Sequence, residues 1–249
     1  MAERMRLDKL LCYLGAADTR SAAREAVRSG RVLANGVAER DPGRTLDPTQ
    51  VQVTLDGKPL AYRRWRHVML HKPAGVITAA RDPRAATVMD LLPALYAACG
   101  CMPVGRLDKD TEGLLLLTND GALAHRVLSP RGDIPKRYLA EVDGPLDATD
   151  VLAFAQGITL SDFIALPAVL TVLESGPQAA RAICEVREGK YHQVKRMFGA
   201  RGRTVTYLKR LSIGPLALDA ALEPGAYREL TPEERTALYA AAALPIPEE

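Results

Sequence analysis

PVGRLDKDTEGLLLLTNDG, Pro103 to Gly121, is a polar loop that runs directly into four consecutive leucines. A short apolar run bounded by turn-forming residues reads as a buried strand, here Leu114 to Leu117, stopped by Asn119-Asp120-Gly121. A rigid strand fixes the loop that precedes it, and Gly105 and Gly113 allow backbone turns that a side chain would penalise. Active-site loops are built this way, and Asp108 is expected to be held firmly. Asp108, Asp110 and Glu112 at alternate positions suggest a calcium loop. The bidentate acid at the twelfth position is missing, however, and Arg106 and Lys109 would repel a divalent ion. No metal is expected. A plain turn capped by Asp108 remains open on physical grounds alone.

On either side of this loop the chain mixes strand and helix signals. Val68-Met69-Leu70, Arg137 to Val142, Ala168 to Leu173 and Ala182 to Arg187 read as strands. Helical periodicity covers 88–98, 121–128, 147–156, 191–201 and 232–243. The expected class is α+β, with a sheet covered by segregated helices.

The opening segment reads as two short helices, a Gly-punctuated turn and a strand pair. Leu7, Leu10, Leu11 and Leu14 have helical spacing, and Ser21 is placed to cap a second helix that ends at Gly30. Val32-Leu33-Ala34 followed by Asn35-Gly36 marks a strand entering a tight turn, with return strands at Val51-Gln52-Val53 and Leu60. Ala61-Tyr62-Arg63-Arg64-Trp65-Arg66 is polar and basic and reads as a linker. The expected organisation is a module over 1–60, a linker over 61–66 and a larger domain over 67–249.

Charge divides unevenly between these parts. Residues 1–66 hold 13 Lys/Arg and 8 Asp/Glu, net +5, whereas the remainder carries 20 against 22, net −2. Within that remainder, Arg181 to Arg210 holds 9 basic and 2 acidic residues, net +7. Two basic patches on an otherwise acidic body are the footprint of a phosphate-backbone binder. Cys12, Cys99, Cys101 and Cys184 are too few and too irregular for a disulfide framework, and His67, His71, His125 and His192 complete no zinc pattern. No apolar run reaches the roughly 18 residues of a membrane span, and the N-terminus lacks a signal-peptide core. A cytoplasmic protein with no membrane partner is expected.

Two resemblances sharpen this reading. Arg6-Leu7-Asp8-Lys9-Leu10, Ser21-Ala22-Ala23-Arg24, Gly30-Arg31-Val32 and Val37 resemble the S4 RNA-binding module, which implies that Arg20, Arg24 and Arg28 face RNA. Gly105 to Gly121 resembles the catalytic loop of pseudouridine synthases of the RsuA/RluA superfamily. His71 to Val76, Lys136-Arg137-Tyr138, Glu188 to Phe198 and Ile213-Gly214-Pro215-Leu216 match the same family in the same order. With the S4-like module in front, the chain is most similar to the small-subunit branch of that superfamily.

The resemblance implies a mixed or antiparallel sheet flanked by helices, and an isomerase that needs no cofactor. It implies that Asp108 is the nucleophile, that Tyr138 lies against the target uracil, and that Lys195 supplies the cation that keeps a buried carboxylate ionised. Many relatives place Arg where Lys195 stands, and Lys offers a point charge instead of a fork; Arg196 is the fallback. Arg106 is placed by sequence to hold the flipped nucleotide or its phosphate. His192, at the start of a basic helix, is expected to contact RNA or support the fold.

The implied partner is rRNA, 16S rRNA or an assembling small subunit, with uridine 516 as the target and the protein acting as a monomer. Two alternatives are an enzyme of the sister branch acting on 23S rRNA and a non-catalytic S4-type RNA-binding protein. The first typically shows Asn-Arg-Gln before an Arg pair, where this chain has Tyr191-His192-Gln193-Val194-Lys195-Arg196. The second would not need Asp108, Tyr138 and Lys195 together.

Overall fold

The computed structural model describes residues 4–247 and divides into two compact units. The first comprises the chain up to Arg66 together with Met89–Met102; the second comprises His67–Val88 and the chain from Pro103 onward. The outermost residues of the expected domains, 1–3 and 248–249, lie outside the described residues.

In the first unit, β1 (Met5–Arg6) leads into α1 (Leu7–Tyr13), and α2 (Arg20–Arg28) packs on it. Leu7, Leu10, Leu11, Ala23 and Val27 are buried, as their helical spacing requires. The cap of α2 is Thr19, not Ser21: the Thr19 hydroxyl accepts from the Ala22 amide at 3.2 Å, and Ser21 sits inside the first turn. Both hydroxyl residues satisfy the composition rule, and only geometry separates them.

Next come β2 (Val32–Ala34), β3 (Val37–Ala38), β4 (Thr45–Leu46), β5 (Val53–Leu55) and β6 (Lys58–Leu60). Asn35 and Gly36, at φ 51° and 79°, make the tight turn between β2 and β3. Asp56-Gly57 repeats the device between β5 and β6, at φ 51° and 77°.

The expected linker, 61–66, belongs to this unit. The Tyr62 ring stacks on Tyr13 at 5.4 Å, and the Tyr13 hydroxyl donates to the Arg64 carbonyl at 2.7 Å. A second departure concerns 88–98, expected as one helix within 67–249. It is a 3-10 turn over Val88–Leu91 followed, after Pro93, by α3 (Ala94–Ala98). Proline cannot continue a helix and opens the new one instead. Helix α3 lies against α1, with the Cys99 thiol donating to the Tyr13 carbonyl at 3.3 Å, so this segment counts with the first unit.

The second unit is built on β7 (His67–Lys72), β8 (Met102–Pro103), β9 (Glu112–Thr118), β10 (Lys136–Asp143), β11 (Val169–Ser175), β12 (Ala179–Val186), β13 (Val205–Ile213), β14 (Leu216–Ala217) and β15 (Tyr227–Glu229). The main path of the sheet runs β11-β12-β10-β13-β9-β7-β15. Neighbours on that path pair antiparallel except β13 with β9, which is parallel, so the sheet is mixed. Helices α4 (Gly121–Leu128), α5 (Ala148–Gln156), α6 (Gln193–Ala200) and α7 (Pro232–Ala241) complete the unit, and the class is α+β.

Leu114 to Leu117 are all fully buried, as a strand covered on both faces requires. Leu114 and Leu116 pack with Met69, Leu123, Ile213 and Leu238, while Phe154, Met197 and Phe198 fill a second cluster around β10 and β12. Among the described residues, no helix is long and apolar enough to cross a membrane, and all four cysteines are buried free thiols.

Candidate active site

The Asp108 loop is fixed by its backbone. The Thr78 hydroxyl donates to the Leu107 carbonyl at 2.8 Å and accepts from the Leu107 amide at 3.1 Å. The Gly75 amide donates to the Lys109 carbonyl at 2.8 Å, and the Thr111 amide closes a turn onto the Asp108 carbonyl at 3.1 Å. The fully buried Lys72 ammonium adds donations to the carbonyls of Pro73 (2.9 Å), Lys109 (3.3 Å) and Thr111 (2.8 Å). Three carbonyls use all three of its protons. Burial pushes this lysine down to about 8, against the opposing pull of Asp110, Asp108 and Glu112.

At the far end of the loop, Gly113 has φ 105°, and a Cβ there would lie 2.2 Å from the Arg210 carbonyl oxygen. Only glycine permits β9 to meet β13 so closely.

With its backbone so constrained, Asp108 keeps its carboxylate free. The side chain is 25% exposed, and its oxygens accept no hydrogen bond among the described residues. His192 Nε2 stands 3.4 Å from one oxygen and Lys195 Nζ 3.6 Å from the other. Lys195 makes its shorter contact with Asp110, at 2.6 Å, and that hydrogen bond holds the Asp110 carboxyl below the usual carboxylate range. The ammonium thus lies between two carboxylates, one exposed and one in the site.

Both neighbours of the carboxylate, the His192 imidazole and the Lys195 ammonium, come from the turn that opens α6 and its first helical turn. The buried Glu188 organises that turn: its carboxylate accepts from Gln193 Nε2 at 2.7 Å and from the Leu166 amide at 2.8 Å. The Gln193 side-chain oxygen in turn accepts from the Lys190 amide at 3.1 Å. Val194, Met197 and Phe198 bury the opposite face of α6, which leaves Lys195 pointing at the Asp108 loop.

Tyr138 lies on β10, part-buried against the second core cluster. The register pairs Tyr138 with Arg210 on β13, and Arg210 with Gly113 on β9. With strands about 4.8 Å apart, this puts Tyr138 roughly 10 Å across the sheet from the end of the Asp108 loop. Arg210 sits between them. Its guanidinium is buried, Nε donates to the Leu114 carbonyl at 2.7 Å, and Nη1 is 3.5 Å from the Tyr138 hydroxyl. Nη2 is buried with no hydrogen-bond partner among the described residues.

Arg210, Lys72 and Glu188 are the site-building residues that the sequence reading does not single out. Lys72 and Glu188 stand in stretches that match the family, His71 to Val76 and Glu188 to Phe198, which is the one available signal for them, whereas Arg210 lies outside every stretch that reads as a strand.

The remaining site candidates fall in three places. Arg106 is exposed on the Asp108 loop, without a hydrogen-bond or ion-pair partner among the described residues. Arg196, the fallback partner of Asp108, faces away from it: it pairs with Asp162, donates to the Ser161 hydroxyl at 3.1 Å and covers the Phe163 ring. Arg20 and Arg24 belong to the first unit, where both bond the buried Asp8, and Arg28 lines an open cleft of about 1000 Å³ with Arg6, Arg24 and Arg40.

A family model described as RNA pseudouridylate synthase matches residues 66–200, and one described as the S4 domain matches residues 5–51. The uncharacterised RNA pseudouridine synthase YtzG of Bacillus subtilis (strain 168) is 42% identical over 231 residues, 92% of this chain and 96% of that one. Ribosomal small subunit pseudouridine synthase A of Escherichia coli (strain K12) is 41% identical over 239 residues, 92% of this chain and 98% of that one. A pseudouridylate synthase of known crystal structure superposes with a TM-score of 0.64 at 34% identity, covering 94% of this chain and 99% of that one.

Proposed function

Because the chain belongs to the RNA pseudouridine synthases of the RsuA type, with an S4 domain in front, we propose that it isomerises uridine 516 of 16S rRNA, with Asp108 as nucleophile. The observation that carries this reading is the Asp108 carboxylate, free of hydrogen bonds on a fully tethered loop, with His192 and Lys195 at 3.4 and 3.6 Å. A nucleophile needs a fixed position and an unoccupied lone pair, and both are present.

The reaction breaks the N1–C1′ bond of uridine and forms a C5–C1′ bond. The proton on C5 leaves to solvent and N1 gains one, so no redox partner or added atom is required. Asp108 attacks C1′ or the uracil ring and departs when the product forms. Lys195 places its ammonium 3.6 Å from the attacking carboxylate as a flipped base excludes water. Tyr138, with its hydroxyl beside Arg210, lies against the uracil. Extracting the uridine from its stack costs a few kcal/mol, and Arg106, exposed at the head of the loop, holds the flipped nucleotide or its phosphate. His192 and Arg196 contact RNA around the site, and Arg20, Arg24 and Arg28 hold phosphates on the first unit. The protein acts in the cytoplasm, as a monomer.

The small-subunit name of the Escherichia coli relative and the Tyr-His-Gln-Val-Lys-Arg wording of the third motif favour 16S over 23S rRNA. The test is a pseudouridine map of 16S and 23S rRNA from cells with and without this gene. Loss of one 16S pseudouridine is the expected result; loss confined to 23S rRNA would transfer the substrate to the sister branch.

A further inference from the structure

The turn that brings His192 to Asp108 also displays an aromatic side chain that neither the fold nor the reaction above uses. Tyr191 is 75% exposed, the most exposed large hydrophobic side chain among the described residues. It is nevertheless ordered by contact. Its ring stacks on the His192 imidazole with centroids 3.8 Å apart and planes 17° from parallel. His192 occupies the left-handed region at φ 49°, ψ 30°, a conformation that non-glycine residues adopt at a cost and that clusters at functional sites. The turn is pinned from below by the buried Glu188 and Gln193, so the two rings are presented on a rigid base.

One face of Tyr191 is covered by His192 and the ring is otherwise open to solvent. The covered side leads through His192 Nε2 to Asp108 at 3.4 Å. Lys190 and Arg196 flank the same turn, each paired with an acid, Glu188 and Asp162, and both lie over the Phe163 ring, which adds to the fixed base of the turn. An exposed, pre-ordered aromatic face, one ring away from the reacting carboxylate, has the chemistry that nucleobases recognise.

We infer that the Tyr191–His192 stack is a base platform: the open face of Tyr191 takes a nucleobase adjacent to the target uridine and holds it after that uridine has flipped toward Asp108. This rests on the uridine-isomerising reading above and names a contact that holds the nucleotide beside the target. Stacking uses the face that every base possesses, so the platform holds the flanking nucleotide without reading its edge.

The experiment uses the full chain carrying Asp108→Asn, so that RNA is bound without being converted. The probe is a 16S rRNA fragment with 2-aminopurine on the 5′ or the 3′ side of the target uridine. Adding Tyr191→Ala should raise Kd about tenfold, a change of ~1.4 kcal/mol. It should also brighten the complex at one of the two probe positions at least about twofold, because the base loses its stacking partner. Tyr191→Phe and Tyr191→Trp should each stay within about twofold of the parent in both readouts. The salt dependence of binding should be the same for all four, because no phosphate contact is removed.

Equal affinity and equal fluorescence for the parent and Tyr191→Ala at both positions would overturn the inference. So would a Tyr191→Phe protein that behaves like Tyr191→Ala, since the hydroxyl and not the ring would then be responsible. Conversion of the unlabelled fragment by the wild-type protein is scored separately. If it fails while the fluorescence pattern holds, the proposed target is wrong and the platform stands.

Discussion

Asp8 in the first unit and Asp108 in the second are both aspartates that follow Arg-Leu, and both face basic side chains, but the two are held in opposite ways. Asp8 is fully buried, and both oxygens are occupied: Arg20 at 2.6 Å and Arg6 at 3.4 Å on one, Arg24 at 3.0 Å on the other. Burial pushes its carboxyl up, and the hydrogen bonds from Arg20, Arg24 and Arg6 outweigh that and hold it at about 2. Asp108 is partly open, and its neighbours, the His192 ring and the Lys195 ammonium, stand off at 3.4 and 3.6 Å. A carboxylate that builds structure is saturated with donors. One that reacts must be fixed by its backbone and left with a free lone pair, and the tethers on Leu107, Lys109 and Thr111 do that fixing.

Short of replacing Asp108 itself, the largest effect is expected from Asp8→Asn. Removing one partner of a buried ion network costs about 3 kcal/mol, the low end of the range because the arginines are themselves half exposed. In a unit of this size that lowers the first thermal transition by roughly 10 to 20 °C. The folded carboxyl, at about 2, lies below its ordinary value of 3.8, so the stabilisation is fully present above pH 4 and is lost as pH falls through 2. Calorimetry of both proteins should show their difference shrinking across that window. A difference that is constant down to pH 2 would mean that Asp8 acts by shape and not by charge.

Next in size is Lys195→Met, which removes the cation nearest to both Asp108 and Asp110. A single-turnover rate about a hundredfold lower is expected, ~2.7 kcal/mol of barrier, with RNA affinity within about threefold. Lys195→Arg should retain most of the rate. A normal rate at saturating RNA together with lost affinity would make Lys195 a phosphate contact. Asp110→Asn sharpens the same point with the smallest effect, since its side chain is 75% exposed and competes with Asp108 for one ammonium. A rate change of less than about threefold is expected, directed upward, and a fall of tenfold or more would show that Asp110 takes part in the chemistry.

The parts of this arrangement that lie close together in sequence were legible. The loop into Leu114 to Leu117 announced a buried strand, Asn35-Gly36 announced a hairpin, and α4 and α5 fell within a residue of their periodic patterns. What needed distant partners was not legible. The longest strand, β13, alternates apolar with polar residues such as Thr206, Arg210 and Ser212, so it gives no apolar run, and its central place depends on pairing with β10 and β9.

Arg210 reaches Tyr138 across 72 residues, and Lys195 reaches Asp110 across 85. The role of Lys195 near Asp108 came from resemblance to a family and not from spacing. The same limit explains α3: its periodicity marks a helix, and nothing local says that α1 is what it packs on.

The most direct test of the contrast between the two aspartates is proton release at C5, measured as tritium set free from 5-labelled uridine in 16S rRNA during a single turnover by Asp108→Asn. The account predicts release at least about ten-thousandfold slower than wild type, with an unchanged thermal transition and RNA affinity within about threefold. Release within tenfold of wild type from a verified Asp108→Asn protein would contradict it, because an amide at that position cannot serve as the nucleophile.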